Sequence, residues 1–255
     1  MLIGERNGLL SGLPYDAEVE YLESTGTQWI DTGCPISLDT IYQIKVRSLP
    51  NSADNTILAA YASYNPDYSN FSLIMRIQRY LEGAINVNSF GGGTIITQST
   101  EPVEIEFAKN YYSLNGGSRV YFSTSSNTVP PYQLGTTLFA IRSTPTRLVN
   151  FAEDTRMYYF KQIGGEQLLR DLIPVRIGTE GAMYDLRGVG GMNPDGSARN
   201  DGLYRNRGTG AFVIGPDKVS SAGGGYKPQC VRRLYRRSLR LSARFWRTPL
   251  WKEVA

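Results

Sequence analysis

The 255 residues include 41% hydrophobic side chains, 27 glycines and 17 tyrosines, but no histidine. This composition suits a turn-rich β protein. It excludes Ser-His-Asp and Cys-His nucleophile pairs and every histidine-containing zinc site. The net charge of +4 is uneven: residues 226–255 hold nine Lys or Arg against Glu253 alone, which leaves 18 basic and 22 acidic residues in 1–225. The basic character therefore belongs to the tail, and nucleic acid is not an expected partner of the body.

The chain opens with MLIGERNGLLSGLPY, whose only apolar stretch is interrupted by Glu5 and Arg6. It lacks the basic and continuous apolar regions of a signal peptide, so synthesis in the cytoplasm without export is expected. No later run approaches the roughly 20 apolar residues needed to span a bilayer, and no transmembrane segment is expected. Residues 1–14 read as a short leader.

From there the pattern is of short strands cut by turns. EVEYL (18–22) reads as the first strand, followed by STGTQWIDTG with turn chemistry at both ends. TIYQIKVR (40–47) alternates apolar and polar residues and reads as a half-buried strand. TILAAYA (56–62) and FSLIMRI (71–77) are two more, with SYNPDYSN between them. Further strands are expected at 83–88, 94–98, 103–108, 119–123 and 137–142. Gly91, Gly92 and Gly93 invite a phosphate-loop reading, but no Gly-Lys-Ser/Thr and no helix follow, so a hairpin turn is favoured. From Arg156 to Gly215, apolar runs such as Leu168, Leu169, Leu172 and Ile173 are bounded by Gly, Pro, Asn and Asp. Ala211–Ile214 reads as the closing strand. Strands spaced by about ten residues, without a helical period, argue for a sandwich or barrel. The body is drawn at 15–218. Residues 219–225, with SSAGGG, read as a flexible linker to the basic tail at 226–255. Cys34 lies beside a strand and Cys230 in the tail, and both are expected to be free thiols.

EYLESTGTQWIDTG at the front resembles the opening strands of concanavalin A-like, laminin-G-like domains of phage and gut-bacterial proteins. RMYYFKQIGGEQLLRDLIPVR, GAMYDL and LYRNRGTGAFVIGP follow that group's closing strands in order, and the resemblance spans about residues 18–216. It implies an all-β fold: a jelly-roll sandwich of two antiparallel sheets. It also implies a non-enzymatic module that recognises a glycan or other host-surface component within a phage particle. Other virion proteins would be partners, with the tail as one attachment point. The alternatives are a structural virion or decoration protein without a ligand, and a divergent laminarinase-type glycoside hydrolase. The segment GVGGMNPDGSARND (188–201) is longer than the group's usual turn there.

Three sets of residues could carry chemistry. Residues two apart on a strand face the same way, so Glu18, Glu20 and Glu23, or Glu104 and Glu106, could pair across a glycosidic bond. Glu18, Glu20 and Glu23 have the longer laminarinase spacing with Glu20 in place of the central Asp, but they fall on the N-terminal strand, where the resemblance implies no catalytic role. Glu104 and Glu106 lack a third acid, so solvent-facing acids are favoured, with no catalytic residue expected. Asn193, Asp195 and Asp201 offer oxygen ligands for Ca²⁺, although their order does not match an EF-hand loop and plain turns are favoured. Tyr64, Asn65, Asp67 and Tyr68, after Tyr61, combine aromatic rings with an amide and a carboxylate, equipment suited to a sugar. The competing reading puts Tyr61 in the core and the others over a sheet edge.

Overall fold

The computed structural model describes residues 13–48, 55–63, 71–79, 84–142, 148–149 and 151–218. The chain divides into two compact units, Met1–Lys218 and Val219–Ala255. The linker, the basic tail and Cys230 lie outside the described residues.

The described residues form nineteen strands and no helix. In chain order they are β1 (Ala17–Glu18), β2 (Leu22–Thr25), β3 (Ile30–Asp31), β4 (Thr40–Ser48), β5 (Asn55–Ser63), β6 (Phe71–Arg79), β7 (Ala84–Ser89), β8 (Gly92–Gln98), β9 (Val103–Phe107) and β10 (Tyr111–Leu114). They continue with β11 (Val120–Tyr121), β12 (Tyr132–Leu138), β13 (Ile141–Arg142), β14 (Leu148–Val149), β15 (Glu153–Gly164), β16 (Gln167–Ile177), β17 (Glu180–Asp185), β18 (Leu203–Arg205) and β19 (Val213–Ile214). An eleven-stranded sheet runs β11-β10-β9-β4-β15-β16-β17-β18, with β1 on β16 and β2 between β15 and β19. A six-stranded sheet runs β3-β12-β5-β6-β7-β8, and β13-β14 form a separate ribbon. Both sheets are antiparallel, and they pack as a β-sandwich.

Strand alternation explains the packing. In β4, Tyr42, Ile44 and Val46 are buried while Gln43 and Lys45 point outward. They meet Phe107, Phe160 and Leu172 of their own sheet and Leu58, Met75, Ile77, Ile85 and Val87 of the other. Each such side chain, fully buried, contributes roughly 1.5–3 kcal/mol. The Tyr42 hydroxyl shares a 2.7 Å hydrogen bond with Thr136 Oγ1 on β12 and so ties the two sheets across the core. Burial pushes the Tyr42 pKa far up, against the opposing effect of that bond.

Several elements differ from the sequence pattern. EVEYL is not one strand. β1 pairs with β16, Val19 bridges Asp217, and β2 begins only at Leu22, where it joins β15 and β19. The chain changes partner within five residues, so one apolar period covers two short strands. Pro174, inside β16, sits where the neighbour on that side changes from β15, last paired at Leu172, to β1, first paired at Val175. A missing N–H is tolerated at such a break. The stretch 137–142 is cut at Phe139, buried with φ of 66° and packed on Phe212 at 5.1 Å. β10 has no counterpart among the expected strands, and the strand expected at 119–123 shrinks to Val120–Tyr121. The closing strand is Val213–Ile214, and Lys218 still donates its backbone N–H to Glu18 O at 2.9 Å.

The turn expected at the triple glycine is a two-residue hairpin, Phe90-Gly91, with both φ values positive. A Cβ at Gly92 would stand 1.9 Å from Ser123 O, so the close approach of residues 123–125 demands glycine there. At the other end, the Tyr15 ring lies tilted against Tyr184 at 4.9 Å in a small cluster with Val175 and Leu203, and Leu13 of the leader packs on that cluster.

Candidate binding face

The six-stranded sheet turns Met75, Ile77, Ile85 and Val87 into the core. Alternation therefore places their neighbours Arg76, Gln78, Asn86 and Asn88 on its outward face. The strand register lines these residues up. One row runs Asp31, Thr137, Ala59, Arg76, Asn88, Gly93 across β3, β12, β5, β6, β7 and β8. The next runs Thr56, Gln78, Asn86, Ile95. Along both rows the face is exposed at β8, where Ile95 is 58% accessible, and recessed toward β5, with Gln78 on β6 at 2% and Thr56 on β5 at 0%.

The polar groups of this face are incompletely satisfied. Gln78 Oε1, Thr56 Oγ1 and Arg76 Nε are buried without a hydrogen-bond partner among the described residues. Arg76 is half-buried and has no carboxylate within ion-pair distance among the described residues. Its charge acts on Tyr61, whose pKa burial raises and Arg76 opposes. The Asn88 amide donates to Asn86 Oδ1. A Cβ at Gly93 would lie 2.3 Å from Asn88 Oδ1, so the glycine leaves room for that amide. An unsatisfied buried polar group costs about 1–3 kcal/mol, and a ligand that supplied the missing partner would recover that cost.

At the recessed end the row finishes on Asp31. Its Oδ2 accepts from Arg142 Nη1 at 2.6 Å and Arg207 Nη1 at 2.8 Å, and its Oδ1 from Gly33 N at 2.8 Å. One buried carboxylate thus serves two guanidinium groups. Arg207 also lies over the Trp29 ring at 4.8 Å, and Gly196 of the 188–201 segment packs on it, where a Cβ would be 2.3 Å from Nη2.

That segment contains the oxygen ligands considered for Ca²⁺. Asn193 Oδ1 accepts from Arg199 Nη1 at 2.8 Å, and Asp201 accepts from Arg199 Nε at 2.9 Å on each oxygen. Asp195 Oδ1 accepts from Ser197 N at 2.8 Å and Ser197 Oγ at 2.7 Å, closing a turn. The Arg199 cation thus occupies the space between Asn193 and Asp201. Hydrogen bonds from Arg199 hold the Asp201 carboxyl below the usual carboxylate range against its partial burial, and those from Ser197 do the same for Asp195. No group of three or more His, Cys, Asp or Glu is placed to hold a metal among the described residues.

The acids of the two strand patterns are dispersed and engaged. Glu104 faces Lys45 at 3.7 Å, Glu106 accepts from Arg119 and Gln43, and Glu23 pairs with Arg156. Glu18 ends β1, and Glu20 lies in the break before β2. Tyr64, Asn65, Asp67 and Tyr68 lie outside the described residues, whereas Tyr61 is half-buried beside Arg76. Cys34 is a buried free thiol whose pKa burial raises, opposed by Arg170 and Arg187.

No protein-family model matches the chain, and no curated protein matches it. The outward face of the six-stranded sheet was missed by sequence reasoning, although its signal is present. FSLIMRIQR and AINVNS each repeat a polar residue two positions apart within an apolar strand.

Proposed function

We propose that the chain is a non-enzymatic recognition module of the concanavalin A-like, jelly-roll type. It binds a glycan of a host surface on the outward face of the six-stranded sheet and works within a phage particle. The observation that carries this reading is the row Gln78, Asn86 beside the row Arg76, Asn88, with the Gln78 carbonyl and the Arg76 Nε unpartnered among the described residues. Amides and a guanidinium spaced along a sheet suit a hydroxyl-rich ligand. The setting within a phage particle rests on the resemblance of the opening and closing strands alone.

Glycan-array binding by the full-length protein tests the reading. The expected result is selective binding that Arg76→Ala weakens by about 1.5–3 kcal/mol, the worth of hydrogen bonds from a charged group, with an unchanged melting temperature. Binding to no glycan, or binding indifferent to both Arg76→Ala and Asn88→Ala, would favour a structural role in the particle.

A further inference from the structure

We infer that a second, separate ligand site lies at the β9–β11 edge of the eleven-stranded sheet, and that it takes a sugar carrying a carboxylate, such as a hexuronic acid residue. A cavity of about 460 Å³ opens there between the start of β4, the β9–β10 turn and the chain following β11. This volume falls within the range of small-ligand clefts and exceeds what a simple anion fills.

The charges in this cavity are unevenly neutralised. Arg119 lies over the Tyr111 ring at 4.3 Å and is paired with Glu106 at 3.1 Å. Lys109 lines the same cavity but, among the described residues, meets neutral groups: it donates to Asn127 Oδ1 and stands 5.6 Å from the Phe90 ring centroid. Among the described residues no carboxylate lies within ion-pair distance of it. Asp39, in the turn that leads into β4 on the opposite wall, likewise lacks a cationic partner among the described residues, and its Oδ1 already accepts from the Ser37 hydroxyl at 2.5 Å. One wall therefore offers an ammonium suited to a carboxylate, and the other an acceptor suited to hydroxyl donors. The amides of Asn110 and Asn127 add donors and acceptors between them, and Leu38 and Ile41 give an apolar surface for the C–H edge of a pyranose ring. A neutral sugar would leave Lys109 unanswered, and a bare anion would leave Asp39 so.

Titration of the full-length protein with glucuronate, glucose, acetate and β-alanine, followed by ligand-observed NMR, tests this. Glucuronate should bind at least tenfold more tightly than glucose or acetate. Lys109→Met should remove about tenfold of the glucuronate affinity and leave glucose unchanged, while Lys109→Arg should retain the preference. Asp39→Asn should weaken glucuronate and glucose alike. Equal affinity for glucuronate and acetate, tighter binding of β-alanine, or a glucuronate preference that survives Lys109→Met would each overturn the assignment. Arg76→Ala is the control: it should leave glucuronate binding at this cavity untouched, so failure of the sheet-face reading and failure of this one are separately visible.

Discussion

On the outward face of the eleven-stranded sheet, Lys45 meets Glu104, Lys161 meets Asp171 and Arg119 meets Glu106 at 3.7, 3.4 and 3.1 Å. On the outward face of the six-stranded sheet, among the described residues, Arg76 meets no carboxylate and Gln78 Oε1 has no hydrogen-bond partner. The two faces share one core and the same alternation. Opposite charges brought side by side by the register neutralise one another on the first and need no ligand. Amides and a guanidinium in register cannot do so on the second. A polar sheet face therefore indicates binding by what it leaves unsatisfied, not by how polar it is.

Four experiments would break or sharpen this contrast. The largest effect is expected at Asp31, where the six-stranded sheet has its one fully engaged anion. Asp31→Ala would leave Arg142 and Arg207 without the carboxylate they share, in a site where its side chain is only 4% exposed. A loss of about 3–5 kcal/mol is expected in urea unfolding; a loss below about 1 kcal/mol would mean that other groups neutralise both arginines.

Gln78→Met comes next. It keeps the volume and removes the orphaned carbonyl, so it should raise stability by about 1 kcal/mol, roughly 2–4 °C in melting temperature, while weakening ligand binding. A lower melting temperature would show that Gln78 is satisfied and that the two faces do not differ there.

Glu104→Ala is the matching change on the other face. Lys45 and Glu104 are 37% and 44% exposed, so solvent screens the pair and the loss should stay below about 0.5 kcal/mol. A loss of 2 kcal/mol would show that the charged face holds the sheet together.

The smallest expected effect is the acid response of Glu106. Burial raises its carboxyl, but hydrogen bonds from Gln43 and Arg119 outweigh this and bring it below its ordinary 4.5. A lowered native pKa contributes stability that is fully present above the unfolded value and is lost as pH falls through the native one. Glu106→Gln should therefore lower the melting temperature slightly at pH 7 and flatten its decline below pH 4.5, so that the two proteins converge in acid. An identical acid profile in the variant would remove Glu106 from the self-neutralised set.

Much of the fold was legible because it is local. The alternation of TIYQIKVR became β4, with Ile44 and Val46 buried and Lys45 outward, and the triple glycine became a hairpin turn. Breaks that depend on a change of partner were not legible: β1 from β2, or Phe139 between β12 and β13. Of the candidate site, the alternating Arg76 and Gln78, and Asn86 and Asn88, were present in the sequence, which also determined the all-β class, the absence of histidine chemistry and the charge split of the tail. Which side of those strands faces the core was decided by packing alone. So were the alignment of Arg76 with Asn88 and the meeting of Asp31 with arginines 111 and 176 residues away. A strand's period is set by its own backbone. Its partner, register and unsatisfied groups are set by chain segments that meet only when the sheets form.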